Sequence, residues 1–372
     1  MENDWAEGVF EKLKIKVRAE CGRNEQSVPF IPRDGRYRDL ETPDKIYWWT
    51  NGFWPGMLWQ MYHATKEEPY RKTAEYVETR LDKALEGFEG LHHDVGFMWL
   101  HTAVANYRLT GNGDSRRRGL HAANLLAGRY NPAGRFIRAW NRDCTGWIII
   151  DCLMNLPLLY WAGREIDDPR YKFIAMEHAH TALNRLARPD GSCSHIAVLS
   201  PQTGECEEIP AGQGFASGSS WSRGQAWALY GFALSYRYTG EMKFLDAAKR
   251  TAHYAIANFA QNGWLPLADF RAPPEPLKYD SSAAMISACG LLEIADHAGE
   301  HEKALYRGAA LKLLAVAEKA FADWNPESDG IIGNGSSAYN GKPEETGVPL
   351  IYGDYFFTEA VLRLLGRGFL IW

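Results

Sequence analysis

The sequence lacks the features that would tie it to nucleic acid, to a membrane or to a nucleotide cofactor. Its 41 Lys and Arg against 46 Asp and Glu leave a net charge of -5. The one basic run is Arg116-Arg117-Arg118, so no positive field awaits a phosphate backbone. No apolar stretch approaches the roughly 18 residues of a membrane span. Met1-Glu2-Asn3-Asp4-Trp5 has neither the basic nor the apolar region of a signal peptide, and the expected location is the cytoplasm. The six cysteines (Cys21, Cys144, Cys152, Cys193, Cys206, Cys289) show no Cys-x-x-Cys or Cys/His ligand spacing, so neither a disulfide framework nor a zinc site is signalled. There is no Walker loop, no dinucleotide fingerprint and no Gly-x-Ser-x-Gly nucleophile elbow. Phosphate, nicotinamide and α/β-hydrolase chemistries drop out.

What the chain does have is aromatic surface and helical periodicity. Its 14 Trp, 18 Tyr and 16 Phe suit stacking on sugar rings, although such residues also build large cores. Apolar residues recur at helical spacing almost throughout, with a short β-like piece at His195 to Leu199, so the fold class is all-α. A pattern repeats: an aromatic or apolar helix end, a short turn bearing Gly or charge, then an amphipathic helix. It is seen at 62–70, 107–111, 161–171, 238–244 and 298–305. The periodicity predicts about twelve helices, near 5–20, 51–65, 68–86, 94–109, 113–129, 146–162, 168–187, 219–239, 241–260, 281–298, 302–322 and 354–366. The length of 372 residues admits two domains or one large toroid. Six hairpins favour a single catalytic domain over 1–372.

Every second helix is rich in Gly, Ala, Trp and Leu, and the intervening ones carry charge on one face, which predicts an inner apolar ring and an outer amphipathic one. Inner helices alternating with antiparallel outer ones all point the same way, so six helix starts meet at one end. The segments entering the inner helices are the chemically peculiar ones: 47–56, 91–97, 147–155, 219–227, 279–282 and 352–355. Long loops join them, at 21–50, 188–218 and 323–352, as loops lining a site do. Helix N-termini favour an anionic ligand such as a uronate carboxylate.

Asp151 stands alone in Ile148-Ile-Ile-Asp-Cys-Leu-Met-Asn155. It reads either as a buried general acid that burial keeps protonated, or as a satisfied buried Asp or helix cap. Asp94, after His92 and His93 and before Gly96, reads either as an N-cap or as a second catalytic carboxylate; two carboxylates facing one aromatic cavity are the equipment of glycosidic chemistry. Asp280 and Asp354 read as caps. His195 alone reads as a structural hydrogen-bonder. Arg223, between Trp221 and Trp227, reads as a carboxylate clamp or as the partner of a buried Asp.

At these motifs the sequence resembles glycoside hydrolase family 88, the unsaturated glucuronyl hydrolases. The resemblance rests on Trp49-Thr-Asn-Gly-Phe-Trp-Pro-Gly56, His92-His-Asp-Val-Gly-Phe97, Ile148 to Leu159, Gly218-Ser-Ser-Trp-Ser-Arg-Gly-Gln-Ala-Trp227, Tyr279-Asp-Ser-Ser-Ala283 and Gly353-Asp-Tyr355. It implies an (α/α)6 barrel, the six-hairpin toroid, that removes a 4,5-unsaturated uronic acid from the non-reducing end of lyase-generated glycosaminoglycan oligosaccharides. By the resemblance Asp151 protonates carbon 4 of the vinyl ether, water adds at carbon 5 and Asp94 helps position it, with no metal, cofactor or covalent intermediate. Trp49, Trp140, Trp221 and Trp227 match aromatic walls, and His93, His195, Gln213 and Arg223 match polar substrate contacts. Gly212 departs from the family pattern, where His often precedes the Gln. Ser337, Asn340 and Lys342 resemble a Ser/Lys segment that binds a sulfate on the neighbouring sugar in some relatives, with Asn340 replacing a Ser; the plain alternative is a solvated Gly-rich loop. The nearest rival is family 105, the unsaturated rhamnogalacturonyl hydrolases of pectin fragments. A sugar 2-epimerase and a non-enzymatic glycan binder are the readings outside that chemistry.

Overall fold

The computed structural model describes residues 2–40 and 42–372, and twelve long helices organise them. They are α1 Glu2–Arg23, α2 Phe53–Thr65, α3 Glu68–Arg80, α4 over 95–110, α5 Gly113–Ala127, α6 Leu156–Glu165, α7 Pro169–Arg185, α8 Ser222–Thr239, α9 Met242–Gln261, α10 Ser281–His297, α11 Glu300–Phe321 and α12 Ile351–Leu364. The helix α4 is continuous but changes winding, with a π-helical stretch at Leu100–Val104 between two α-helical ones.

Composition decides which helices go inside. In α10 every residue from Ser281 to Ala295 is buried, and α12 is buried throughout except near Arg363. A helix apolar or small on all faces has to be enclosed. By contrast α9 buries Phe244, Leu245, Ala247, Ala248, Thr251, Ala252, Ala255 and Phe259, and α11 buries Tyr306, Ala309, Ala310, Leu313, Leu314 and Ala317. Those are the i, i+3, i+4, i+7 stripes of helices with one covered face. The even-numbered helices pack each on the next, α12 closes back on α2, and the odd-numbered ones stand outside them. The result is the (α/α)6 barrel.

The turns have identifiable chemistry. Lys66, Gly111 and Gly240 take left-handed conformations and return their N–H groups to the carbonyls of Tyr62, Tyr107 and Tyr236. The outer helices α5 and α7 begin on side-chain caps from Asn112 and Asp168. Five inner helices are thus reversed within a few residues, α12 packs beside α1, and all six run in one direction. Trp372 is buried among the inner helices: its ring stacks on Phe356 at 5.7 Å and meets His101 at 4.4 Å, and its indole N–H donates to Glu359.

Among the described residues, three small antiparallel sheets decorate the loops: β1 Tyr130–Asn131 with β2 Phe136–Ile137; β3 Trp147–Ile149, β4 Ile196–Leu199 and β5 Cys206–Glu208; and β6 Gly335–Ser336 with β7 Thr346–Val348. The sequence reads 146–162 as one helix, and here the structure differs. The segment is strand β3, a 3-10 turn at Ile150–Met154 and only then α6. The run Ile148-Ile149-Ile150 is β-branched, and a ready partner strand at Ile196–Leu199 lets it pair. None of the described helices is long and apolar enough to cross a membrane.

Close approach between inner helices is set by glycine. A Cβ on Gly290 in α10 would lie 2.4 Å from Leu229 Cδ1 and 2.9 Å from the Tyr230 Cα of α8. Gly308, midway along the outer α11, faces open space. Gly290→Ala is therefore expected to destabilise by about 1–3 kcal/mol through overpacking. Gly308→Ala should stabilise by roughly 0.5–1 kcal/mol through helix propensity. Chemical denaturation of the two proteins reads both; shifts of the same sign would contradict this account of inner packing.

Candidate active site

The pairing of β3 with β4 creates the first half of the site. Ile149 lies opposite Ile196, and the Ile150 N–H donates to the His195 carbonyl at 2.9 Å. That register leads the chain into the 3-10 turn with Asp151 beside His195, Nε2 lying 3.5 Å from Oδ1. The His195 Nδ1 accepts the Gln213 N–H at 2.9 Å. A neutral imidazole that accepts at Nδ1 carries its proton on Nε2, so the ring aims an N–H at the carboxylate. At 3.5 Å the contact is too long for a firm hydrogen bond, and Asp151 Oδ1 and His195 Nε2 are both buried without a partner. Buried polar atoms left unsatisfied cost free energy, and functional sites are where folds tolerate that cost. Asp151 caps no helix, since the residue at the cap of its turn is Ile149 and no side-chain cap forms there.

The second half comes from the start of α4. Asp94 occupies the N-cap position, yet its side chain accepts no N–H from the helix. Oδ2 instead faces His92 Nδ1 and His93 Nε2, each at 3.4 Å. Burial pushes the Asp94 carboxyl up, but His93, the His92 contact and Arg129 outweigh it and hold the group below the ordinary aspartate range. Asp94 is an anion at neutral pH. The N–H that an Asp94 cap would have satisfied is taken by Asn155, whose Oδ1 accepts from Phe97 at 2.7 Å while its Nδ2 donates to the Asp151 carbonyl at 3.3 Å. Asn155 thereby ties the two carboxylate-bearing turns together. His93 feels the charge of both carboxylates, and its Nδ1 is buried without a partner.

Aromatic residues from several helix starts surround this pair. Trp49 meets Tyr352 at 4.8 Å, Phe97 at 5.4 Å and Trp227 at 6.5 Å, so the starts of α2, α4, α8 and α12 converge on one indole. Trp140 stands edge-on to His93 at 6.1 Å, and Trp221 lies 4.4 Å from His195. Trp49 and Trp140 keep exposed surface and Trp221 is 3 % exposed, but Trp227 is fully buried. Trp227 backs Trp49 and Phe97.

Arg223 resolves toward the second of its two readings. One terminal nitrogen donates to Asp280 at 2.7 Å and to the Ser336 carbonyl at 2.6 Å, and the other donates to the Ser337 carbonyl. Its guanidinium is buried and sandwiched by the Trp221 and Tyr352 rings, and its Nε is left without a partner. What it holds is the 335–342 loop, to which Gln213 also donates at the Ser337 carbonyl, 2.5 Å away. Ser337 is half-buried, whereas Asn340 and Lys342 are exposed. Asp280 caps α10 through the Ser282 N–H as expected. Asp354 does not cap; it sits inside α12 and accepts from the Ile331 and Ile332 N–H groups and the Tyr37 hydroxyl.

Three residues that shape the surroundings of the site escape the sequence reading. Asp269 accepts from Phe215, Ser219, Ser220 and Arg271 and shapes the 214–220 loop; an isolated Asp in a loop gives no such signal. Asn155 lies within a quoted motif, but only the fold reveals its bridge. Arg129 lies outside every motif. Gly212, conversely, gains a physical reason: its φ is +60, and a Cβ there would sit 2.0 Å from His195 Nδ1. Gly212→Ala should displace His195 and lower kcat/KM by roughly ten- to a hundredfold, the scale of one lost polar alignment. The strained φ and the clash should also lower the unfolding midpoint, while circular dichroism stays close to wild type; unchanged kcat/KM would break the link between Gly212 and the His195 orientation.

Comparison with known proteins agrees with this geometry. The family model Glycosyl Hydrolase Family 88 matches residues 30–267. The chain is 39% identical over 330 residues to the unsaturated glucuronyl hydrolase of Bacillus sp. (strain GL1), covering 85% of this chain and 86% of that protein. It is 31% identical over 352 residues to the unsaturated chondroitin disaccharide hydrolase of Streptococcus pyogenes serotype M1, covering 89% and 84%. The crystal structure of the Bacillus sp. GL1 unsaturated glucuronyl hydrolase superposes with a TM-score of 0.89 over 97% of this chain and 96% of that one. Fold, site and relatives coincide: the chain belongs to Glycosyl Hydrolase Family 88.

Proposed function

We propose that this glycosidase removes a non-reducing-end 4,5-unsaturated uronic acid from glycosaminoglycan oligosaccharides by hydrating the vinyl ether. One observation carries the reading: two carboxylates that cap nothing, Asp151 and Asp94, stand with the unpartnered ring nitrogens of His195 and His93 at the converging helix starts. Relatives named for unsaturated glucuronides and chondroitin disaccharides support the substrate class, and membership of family 88 favours it over the pectin-directed family 105.

The chemistry follows from the difference between the carboxyls. Asp94, held as an anion, is given the water, and Asp151, beside the His195 N–H, is given the delivery of a proton to carbon 4. Water adds at carbon 5, oriented by the anionic Asp94 and the neighbouring histidines, and its spare proton returns to Asp151. The hemiketal so formed opens to a carbon-5 ketone and leaves a hydroxyl on carbon 1, whose collapse to an aldehyde expels the shortened sugar. The six helix N-termini favour the uronate carboxylate. On this reading the chain, 1–372, is one catalytic domain. Its place is the cytoplasm, which six unbridged cysteine thiols support.

Asp151→Asn should keep the fold and lose turnover by at least about a thousandfold, the upper range of general acid contributions, when loss of double-bond absorbance is followed on unsaturated disaccharides from chondroitin, hyaluronan, heparin and pectin. Residual wild-type-like turnover in Asp151→Asn, or turnover of the pectin product alone, overturns the proposal. The exposed Lys342 beside Ser337 is read as the sulfate contact. Lys342→Ala should raise KM for a sulfated chondroitin disaccharide by roughly tenfold, about the worth of one charge-assisted hydrogen bond, and leave the unsulfated one unaffected. Equal KM changes for both substrates would remove Lys342 from that role.

A further inference from the structure

We infer that Arg129 is a positioning residue that locks the Trp140 wall in register with His93 and Asp94 and lends Asp94 an uncompensated positive charge. Arg129 follows the end of the outer helix α5, and its partly buried guanidinium reaches inward across two backbone segments. Nε donates to the Arg138 carbonyl at 3.0 Å and one terminal nitrogen to the Ala139 carbonyl at 3.1 Å. The other donates to the Leu91 carbonyl at 3.2 Å and to Asn141 Oδ1 at 2.8 Å. Asn141 in turn donates to the Glu89 and Leu91 carbonyls, and the His93 N–H donates to Ala139. One planar fork thus laces the segment leading into His92-His93-Asp94 to the segment carrying Trp140. Lysine, a point donor, has no equivalent geometry.

Every one of those acceptors is neutral, and among the described residues Arg129 makes no ion pair. A guanidinium so placed keeps its field for whatever carboxylate stands nearby. Burial, reinforced by Arg138, lowers its pKa to about 10, which still leaves it charged at neutral pH, and Asp94 is the carboxylate that pulls in the opposite direction. The groups facing Asp94 are His92 and His93 on its own segment, Arg129 beyond α5, and Cys152 and Asp151 across the 3-10 turn. Of these, only Arg129 bears a permanent positive charge. A carboxyl held below its ordinary range loses that advantage as pH falls through its folded-state value, and removing the cation moves this point to higher pH.

The inference rests on the proposed reaction for its kinetic readout, and a second readout does not. R129M and R129K are compared with wild type on an unsaturated chondroitin disaccharide from acidic to neutral pH, with circular dichroism to establish folding. R129M should lose roughly ten- to a hundredfold in kcat/KM, the cost of a misplaced wall, with the acidic limb of its pH profile moved upward. R129K should keep the limb but retain a raised KM, because charge survives and the fork does not. The carboxyl 13C resonance of Asp94, titrated in each protein, tests the charge claim even if the disaccharide is not a substrate: Asp94 should titrate at higher pH in R129M than in wild type or R129K. A folded R129M with wild-type KM, acidic limb and Asp94 titration overturns the inference. A purely structural role would lower stability and leave the limb and the titration in place. Failure of wild type to turn over any unsaturated disaccharide counts against the proposed function alone.

Discussion

The direction of the inner helices is the constraint on which the rest depends. Five of the six are reversed by an outer partner after a turn of a few residues, α12 packs beside α1, and the closed ring assembles six N-termini at one end. Each start contributes roughly half a positive charge and several free N–H groups. Such an end attracts carboxylates, from the chain or from a ligand. The chain supplies four aspartates at or near these starts, and their fates diverge according to what else reaches them.

Two are consumed in construction. Asp280 accepts from the Ser282 N–H and pairs with Arg223, which extends the same grip to the 335–337 backbone. Asp354 gathers the 331–332 amides and Tyr37, so one side chain anchors the loop before β6 and the long loop after α1. Loops of this length would otherwise pay a large ordering entropy, and stapling them to helix starts fixes the walls of the site. The other two, Asp94 and Asp151, are kept out of such work because Asn155 and the β3–β4 pairing meet the backbone needs of their turns.

How much of this is legible in the sequence follows from range. Inner and outer helices are separated by local periodicity, because burial on one face or all faces is written within each helix, as α9 and α10 illustrate. The converging starts follow from that alternation. Strand β3 escapes because three isoleucines suit a buried helix as well as a strand, and the partner that decides lies some fifty residues onward at Ile196. Trp227 and Arg223 stand in a motif where a tryptophan or arginine reads as a ligand contact, and only the fold shows that the one packs behind Trp49 and the other pairs with Asp280. Arg129 is invisible for the opposite reason: its partners are backbone carbonyls, which any sequence provides.

The asymmetry of the two free carboxyls is the last step from fold to chemistry. Asp94 is ringed by donors and positive field, namely His92, His93 and the Arg129 clamp, and these hold it ionised. Asp151 faces the His195 N–H at 3.5 Å, lies within the fields of Arg223 and His93, and accepts no protein hydrogen bond at Oδ1. Hydration of a vinyl ether needs both a group that carries a proton to carbon and one that stays anionic while water is drawn in. Exchanging the two roles would require Asp94 to take up a proton against three cationic or donating neighbours. The arrangement therefore has a direction, which the register of a three-residue strand and the reach of one arginine impose on an otherwise symmetric ring of helices.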